Sequence, residues 1–492
     1  MIEYNAGTDK AIRIIEAGAE SSKTRLDIIC YELTAWLKSE PRKEMLDGWS
    51  YYGGRQEILN KKREMIGENG QKVTISALPN SRITDNQYRK AVIQKTNYLF
   101  GQPITFETEN DTYYALLQGI FNKRFQRTIK NVGTDIYNGG ISWIFPYIDN
   151  GQLKFKKLPS YNVLPFWSDD EHTELDLAAV YEPVIVYEGR KKKTVKKVTV
   201  LDREGVKYYV MQGGMLIPDV EREDEPYLMI GGEAFAWDRI PLVAFKRDAQ
   251  ETPLIRGVKS IQDAINTIIS NFEDNMLEDM RNTILVLVNY AGENLGEFRR
   301  NLASSGCVKV ETVEGVTGDI KTLKIEVNAE NYKAILETLK KALIENTMSY
   351  DAKDDRIGSN ANQLNIMSMY NDIDLDANNT EAEAQAAFEE LFEFVNTFLR
   401  ITGRGDFDNE NVKVIFNRDM LINEREIMQS LASLGLQLSQ ETLINQVPYI
   451  TDAKQEMQRI KAEAEEQKNA ADTYSRAFGG SAFIQDKGVS DE

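Results

Sequence analysis

Val258, Ile261, Ile265, Ile268, Phe272, Met276 and Met280 follow one another at spacings of three and four. That is the repeat of a single helical face. It holds over roughly 27 residues, about 40 Å at 1.5 Å per residue. Other faces of the same helix carry Asp263, Glu273, Asp274, Glu278 and Asp279. The period then switches. Residues 283–290 read as a strand, 294–303 as a short helix, and CVKVETV and IKTLKIEV as two more strands. At Tyr332, Ile335, Leu339, Ala342 and Leu343 the spacing is helical again. A small α/β module is therefore inserted between two helices, which return past each other as an antiparallel pair with an apolar seam. Two helices alone cannot bury all of that apolar surface. Copies packed side by side in a ring would cover the rest.

The remainder reads as a helix-rich α+β body. Residues 9–40 form a helix, with Leu26, Ile29, Leu33 and Trp36 on one face and Pro41 as its stop. A second helical stretch covers 42–66, and another lies near 111–131. From 141 the period is two: ISWIFPYI, LKFKKL, NVLPFW, a meander over 178–218, and IPLVAF at 240–245. Later come a long helix over 363–401, the strand VKVIF, and helices at 423–435, 439–446 and 451–475, the last with Asp452 as N-cap. The tail from 471 reads as disordered.

Several function classes are excluded or weakened. A net charge of −18 repels nucleic acid in bulk. The longest aliphatic run, Ile284–Val288, is too short to span a bilayer, and no secretory signal is visible. Cys30 and Cys307 make no disulfide framework and suggest a reducing compartment. There is no phosphate-binding G-x-x-x-x-G-K-[ST] loop, no Cys/His zinc spacing and no cofactor motif. His172, the single histidine, lies in SDDEHTELD and reads as a solvated loop residue rather than a catalytic base. The basic run Arg190–Lys193, with Lys196 and Lys197, reads as a solvated hairpin tip. A nucleic-acid patch is the alternative, disfavoured because no aromatics are interleaved to stack on bases. Asp351, Asp354 and Asp355 do not follow the EF-hand pattern. Asp372, Asp374 and Asp376 suit a solvated helix face or a local irregularity better than a metal cluster. No catalytic residue is assigned.

The segment SYDAKDDRIGSNANQ, 349–363, is too long and charged for a simple turn between helices. A catalytic loop, a metal loop, a linker and a projecting loop are all compatible with its residues.

Taken in order, YYGGRQEI (51–58), NSRITDNQYRKAVIQKTNYLFGQPITF (80–106), PLIRGVKSIQDAINTIISNFEDNM, VIFNRDMLINERE and SQETLINQVPYITDAKQEMQRIKAE resemble segments of the portal proteins of tailed bacteriophages, in the branch common in phages of Gram-positive hosts. The most specific local match is Asn-x-Arg-Ile through Tyr-Leu-x-Gly-x-Pro in the second of these. The resemblance covers roughly residues 40–465.

It implies a portal-type subunit. Residues 1–253 would be the wing, 254–281 and 328–349 the stem, 282–327 the clip and 350–362 the tunnel loop. Residues 363–422 would return to the wing and 423–470 would form the crown, leaving 471–492 as the tail. Subunits would assemble as a homo-oligomeric ring, twelve in the virion, at one capsid vertex. Assembly would take place in the host cytoplasm. Double-stranded DNA would pass through the axial channel without sequence specificity. Partners would be the terminase large subunit, a head-completion or adaptor protein, and capsid and scaffolding proteins, with no membrane. On this reading Lys353, Asp354, Asp355, Arg356, Gly358, Ser359 and Asn360 form the tunnel-loop site. Lys353 and Arg356 touch phosphates while Asp354 and Asp355 keep the contact weak. The clip surface would use Glu311, Glu314, Asp319, Lys324 and Glu326. The stem seam would use Val258, Ile261, Ile265, Ile268, Phe272, Met276, Ile335 and Leu339. The rival readings are another ring component of a head–tail connector, and a metal-dependent phage nuclease built on the aspartate clusters.

Overall fold

The computed structural model describes residues 22–66, 71–74, 78–230, 233–235, 237–279, 284–288, 312–313, 316–317, 319–323, 329–351, 363–418, 439–445, 447, 450 and 453–478. Its helices are α1 (Ser22–Trp36), α2 (Glu40–Tyr52), α3 (Gln87–Phe100), α4 (Asp111–Ile120), α5 (Lys123–Gly139), α6 (Ile255–Asp279), α7 (Ala329–Asn346), α8 (Gln363–Ile401), α9 (Gln440–Asn445) and α10 (Ala453–Phe478). The chain divides into two compact units. One comprises 1–46, 92–253 and 348–492; the other comprises 47–91 and 254–347.

The larger unit is organised by period-two strands packed on helices. A five-stranded antiparallel meander runs in the spatial order Met215–Pro218, Val206–Gln212, Lys191–Leu201, Leu175–Glu188, Val163–Trp167. Along Leu175–Glu188 the faces alternate. Leu177 and Ala179 face a cluster with Ile29, Cys30 and Leu33 of α1. Ala178 and Val180 face another with Trp143, Trp167, Ile240 and Leu242. A three-stranded sheet has Ile141–Asp149 between Val243–Lys246 and Gln152–Leu158. The largest core cluster is aromatic. Phe106, Phe121, Phe125 and Phe155 gather around Phe388 and Phe392 of α8, mostly edge-on or tilted.

Several expectations change. The single helix expected near 111–131 is two. Asn110 caps α4 by accepting from the N–H groups of Thr112 and Tyr113. Asn122 caps α5 in the same way for Arg124 and Phe125. The periodicity hid this break because both helices face one core. Helix α5 ends at Gly140, whose φ of 78° and whose closeness to the Glu251 carbonyl leave no room for a Cβ. The helix expected over 42–66 stops at Tyr52, followed by a 3-10 turn, Glu57–Asn60, and a short strand, Glu64–Ile66. His172 is not a solvated residue. It stacks on Trp167 (centroids 4.9 Å) and pairs with Glu251 (2.7 Å). Helix α10 continues to Phe478, past the point where the tail was expected to lose order. Residues 423–435 and Asp452 lie outside the described residues.

In the smaller unit, α6 and α7 pack against each other. Between them in sequence, Ile284–Val288 pairs antiparallel with Asp319–Leu323, and Thr312–Val313 pairs with Val316–Thr317. The helix–strand–helix order of this stretch follows the change of period.

Candidate functional site

The seam between α6 and α7 is apolar at one end and open at the other. Val258 and Ile265 are buried, as is Leu343. Ile261, Ile268 and Leu339 are half-buried. Phe272 meets the Tyr332 ring at 4.9 Å, and the Tyr332 hydroxyl accepts from the Asn275 amide at 2.9 Å. Met276 is 45% exposed and Ile335 51%, so these two members of the expected seam are not covered within the chain.

A polar ladder that periodicity did not reveal lies on another face of α6. Gln262, Asn266, Ser270 and Asp274 stand four apart and are buried. Their oxygens accept the backbone N–H groups of Tyr88 (2.9 Å), Asp85 (2.9 Å), Ile83 (3.0 Å) and Ser81 (2.6 Å) respectively. The match is geometric. Four helical residues rise about 6 Å, and two extended residues advance about 6.6 Å. Alternate amides of an extended chain, here Ser81, Ile83 and Asp85, therefore meet every fourth side chain of a helix, and the remaining rung, Tyr88, is three residues on, in the first turn of α3. The ladder gives the irregular segment 81–86 a partner for backbone groups that would otherwise be buried unsatisfied. Lys61 pairs with Asp274 at 2.8 Å. Burial alone would raise the Asp274 carboxyl, but hydrogen bonds from Lys61 and Ser81 outweigh it and hold the group below its ordinary value. Lys340 of α7 reaches Asp85 at 2.6 Å. The segment bound this way is the Asn-x-Arg-Ile stretch. A spacing of amide, hydroxyl and carboxylate residues at every fourth position was the signal available for it.

In the larger unit, the two chain segments flanking 352–362 converge on α3. Lys95, whose side chain is 0% exposed, donates to Asp376 of α8 at 2.7 Å and to the Met348 carbonyl at 3.2 Å. Gln94 donates to the Tyr350 carbonyl at 3.1 Å. The Tyr370 ring of α8 meets Tyr350 at 4.6 Å and Tyr98 at 5.7 Å. Met348 adopts a φ of 49°, an uncommon conformation for a side chain of its size, so its contacts fix a conformation the chain would not choose locally. Burial lowers the Lys95 ammonium to about 8, against the opposing pull of Asp376. Arg247 also faces Asp376, at 3.5 Å.

The aspartates of α8 do not form a cluster. Residues two apart on a helix point to different faces. Asp376 is buried in the Lys95–Arg247 group. Asp374 engages Arg418 and accepts from the Tyr98 hydroxyl at 2.9 Å, and Asp372 is exposed. The solvated-face reading thus holds for Asp372 only. Among the described residues no three Asp, Glu, His or Cys side chains gather as a metal site. Lys353, Asp354, Asp355, Arg356, Gly358, Ser359 and Asn360 lie outside the described residues, as do Glu311, Glu314, Lys324 and Glu326. Asp319 opens the strand Asp319–Leu323.

Comparison with known proteins bears on what this arrangement serves. Residues 38–470 match the family described as Phage portal protein, SPP1 Gp6-like. The chain belongs to this phage portal family. It is similar to the portal protein of Bacillus phage SPP1, 28% identical over 467 residues, covering 94% of this chain and 91% of the relative. It is also similar to the portal protein of Clostridium phage phiCD119 (strain Clostridium difficile/United States/Govind/2006), 25% identical over 436 residues, covering 84% and 91%. Portal proteins are structural components of the virion capsid. No helix among the described residues is long and apolar enough to cross a membrane.

Proposed function

We propose that this chain forms a ring of twelve subunits at one capsid vertex. The ring is a conduit for double-stranded DNA in packaging and ejection, and a docking platform for the terminase motor and head-completion proteins. The observation behind this reading is the extent of the family match, 38–470, which takes in both long helices and everything between them. In this assignment 254–281 and 328–349 are the stem, 282–327 the clip, 350–362 the tunnel loop and 423–470 the crown. Residues 1–253 with 363–422 form the wing. The exposed Met276 and Ile335 support side-by-side packing, since a neighbouring subunit would cover them.

The anchoring of both loop flanks on α3 supports a loop set at a fixed point of the subunit while its middle meets DNA. Lys353 and Arg356 would touch phosphates in passing, and Asp354 and Asp355 would limit their hold. The nuclease alternative is weakened by the ion pairs that occupy Asp374 and Asp376. Electron microscopy and native mass of the purified chain test the ring. Closed rings with a hole about as wide as a duplex (~20 Å, from groove dimensions) are expected, and a monomer under all salt conditions would refute it. Replacing Lys353 and Arg356 with Gln should leave rings intact and change DNA packaging or retention. Unchanged packaging and retention would remove the loop from the mechanism.

A further inference from the structure

Strand Leu175–Glu188 is longer than its neighbours require. Val163–Trp167 pairs only with Leu175–Val180. On the other side, Lys191–Leu201 meets the next strand only over Lys197–Leu201, opposite Val206–Val210. From Pro183 to Lys196 the hairpin therefore continues as two strands alone, paired up to Glu188 with Lys191, and no third strand flanks it among the described residues. Six residues per strand extend it about 20 Å beyond the sheet. Both edges present unused backbone donors and acceptors. One face carries Ile185, 51% exposed, and Tyr187, 70% exposed, opposite Thr194 and Lys192. A two-stranded ribbon is marginal by itself in water, and an exposed tyrosine opposite a lysine has the composition of a binding epitope.

The charge is equally unbalanced. Lys193 pairs with Glu188, and Lys197 at the base pairs with Asp219 and Glu221. The side chains of Arg190, Lys191, Lys192 and Lys196 have no hydrogen bond or ion pair among the described residues. They form a basic projection on a chain whose net charge is −18.

We propose that this arm docks on a second copy of the chain. Charge complementarity selects that occupant: every copy offers an acidic surface to another copy's basic arm. An exposed example in this unit is Glu223, Asp224 and Glu225, next to Glu221, which holds Lys197 of its own chain, and beside a wholly exposed Val220. Basic arm and acidic segment are different patches, so the contact is heterologous and propagates head to tail. It deepens the proposed function by naming an inter-subunit clasp, and its closure into a ring rests on that reading.

A photo-crosslinking amino acid at position 187 tests the clasp directly, with the full-length chain and peptide mapping. Crosslinks from 187 to the 219–225 segment of another copy are expected. The triple variant Lys191→Glu, Lys192→Glu, Lys196→Glu should raise the concentration at half-assembly about tenfold or more, with an unchanged thermal melt. Adding Glu223→Lys and Glu225→Lys should restore assembly. Only intramolecular crosslinks, or unchanged assembly of the triple variant, would overturn the proposal. So would a wild-type arm that binds DNA in a gel shift without crosslinking to a second copy. If wild type forms no rings but position 187 still crosslinks between copies, the ring reading fails and the clasp stands.

Discussion

Replacing Lys95 with Met removes one charge from the anchor while keeping similar volume. Taking one partner from a buried pair costs about 3–5 kcal/mol, because the remaining charge stays buried. Here Arg247 remains 3.5 Å from Asp376 and offsets part of that. The Met348 carbonyl also loses a donor, a loss of about 1 kcal/mol. A total near 3 kcal/mol is expected from urea unfolding. The amides of 347–351 should exchange faster in the variant, because two of the carbonyl contacts holding that stretch converge on α3. The pH dependence is a second readout. The folded Lys95 titrates at about 8, below its ordinary 10.5. Between those values the unfolded chain holds more protons, so wild-type stability rises with pH through that window. The Lys95→Met variant should lack this rise. A cost below about 1 kcal/mol, or an identical pH slope, would show that the Lys95–Asp376 contact does not hold the loop flanks.

Other perturbations follow from the same geometry. Asn266→Leu deletes the acceptor for the Asp85 amide and a partner of Gln56, and should cost about 2–3 kcal/mol in thermal unfolding, since the amide is left buried and unsatisfied. Burial pushes the Glu390 carboxyl up to about 7, against the attraction of Arg239. The folded chain therefore holds the extra proton between about 4.5 and 7, and wild-type stability falls as pH rises through that range. Glu390→Gln should gain up to about 3 kcal/mol relative to wild type above pH 7 and nothing below 4.5, read from melts across pH. Gly133→Ala would raise helix propensity in α5, yet its Cβ would sit 2.4 Å from the Phe100 ring, so a loss of about 1–3 kcal/mol is expected on urea unfolding.

Much of the architecture was legible because it is periodic. The face from Val258 to Phe272 needs only a 3.6-residue repeat, and the meander needs only a repeat of two. The run 363–401 was read with both of its ends, since no proline or glycine interrupts it. Local chemistry that competes with a continuing pattern was missed. Asn122 restarts a helix without disturbing its apolar face, and the residues after Tyr52 lose the helix despite favourable spacing.

The candidate site divides along the same line. The sequence by itself determined which residues are apolar, where the period changes, and therefore that two long helices flank an insert; those properties are local. It could not determine that Gln262, Asn266, Ser270 and Asp274 are a ladder for distant amides. Nor could it show that Lys95 holds Met348 and Asp376 together, or that His172 stacks on Trp167. A buried polar side chain has meaning only through its partner. The hydrogen-bonding partners Glu251 of His172, Ile83 of Ser270 and Asp376 of Lys95 lie some 80 to 280 residues away along the chain, and only the tertiary fold brings them within reach.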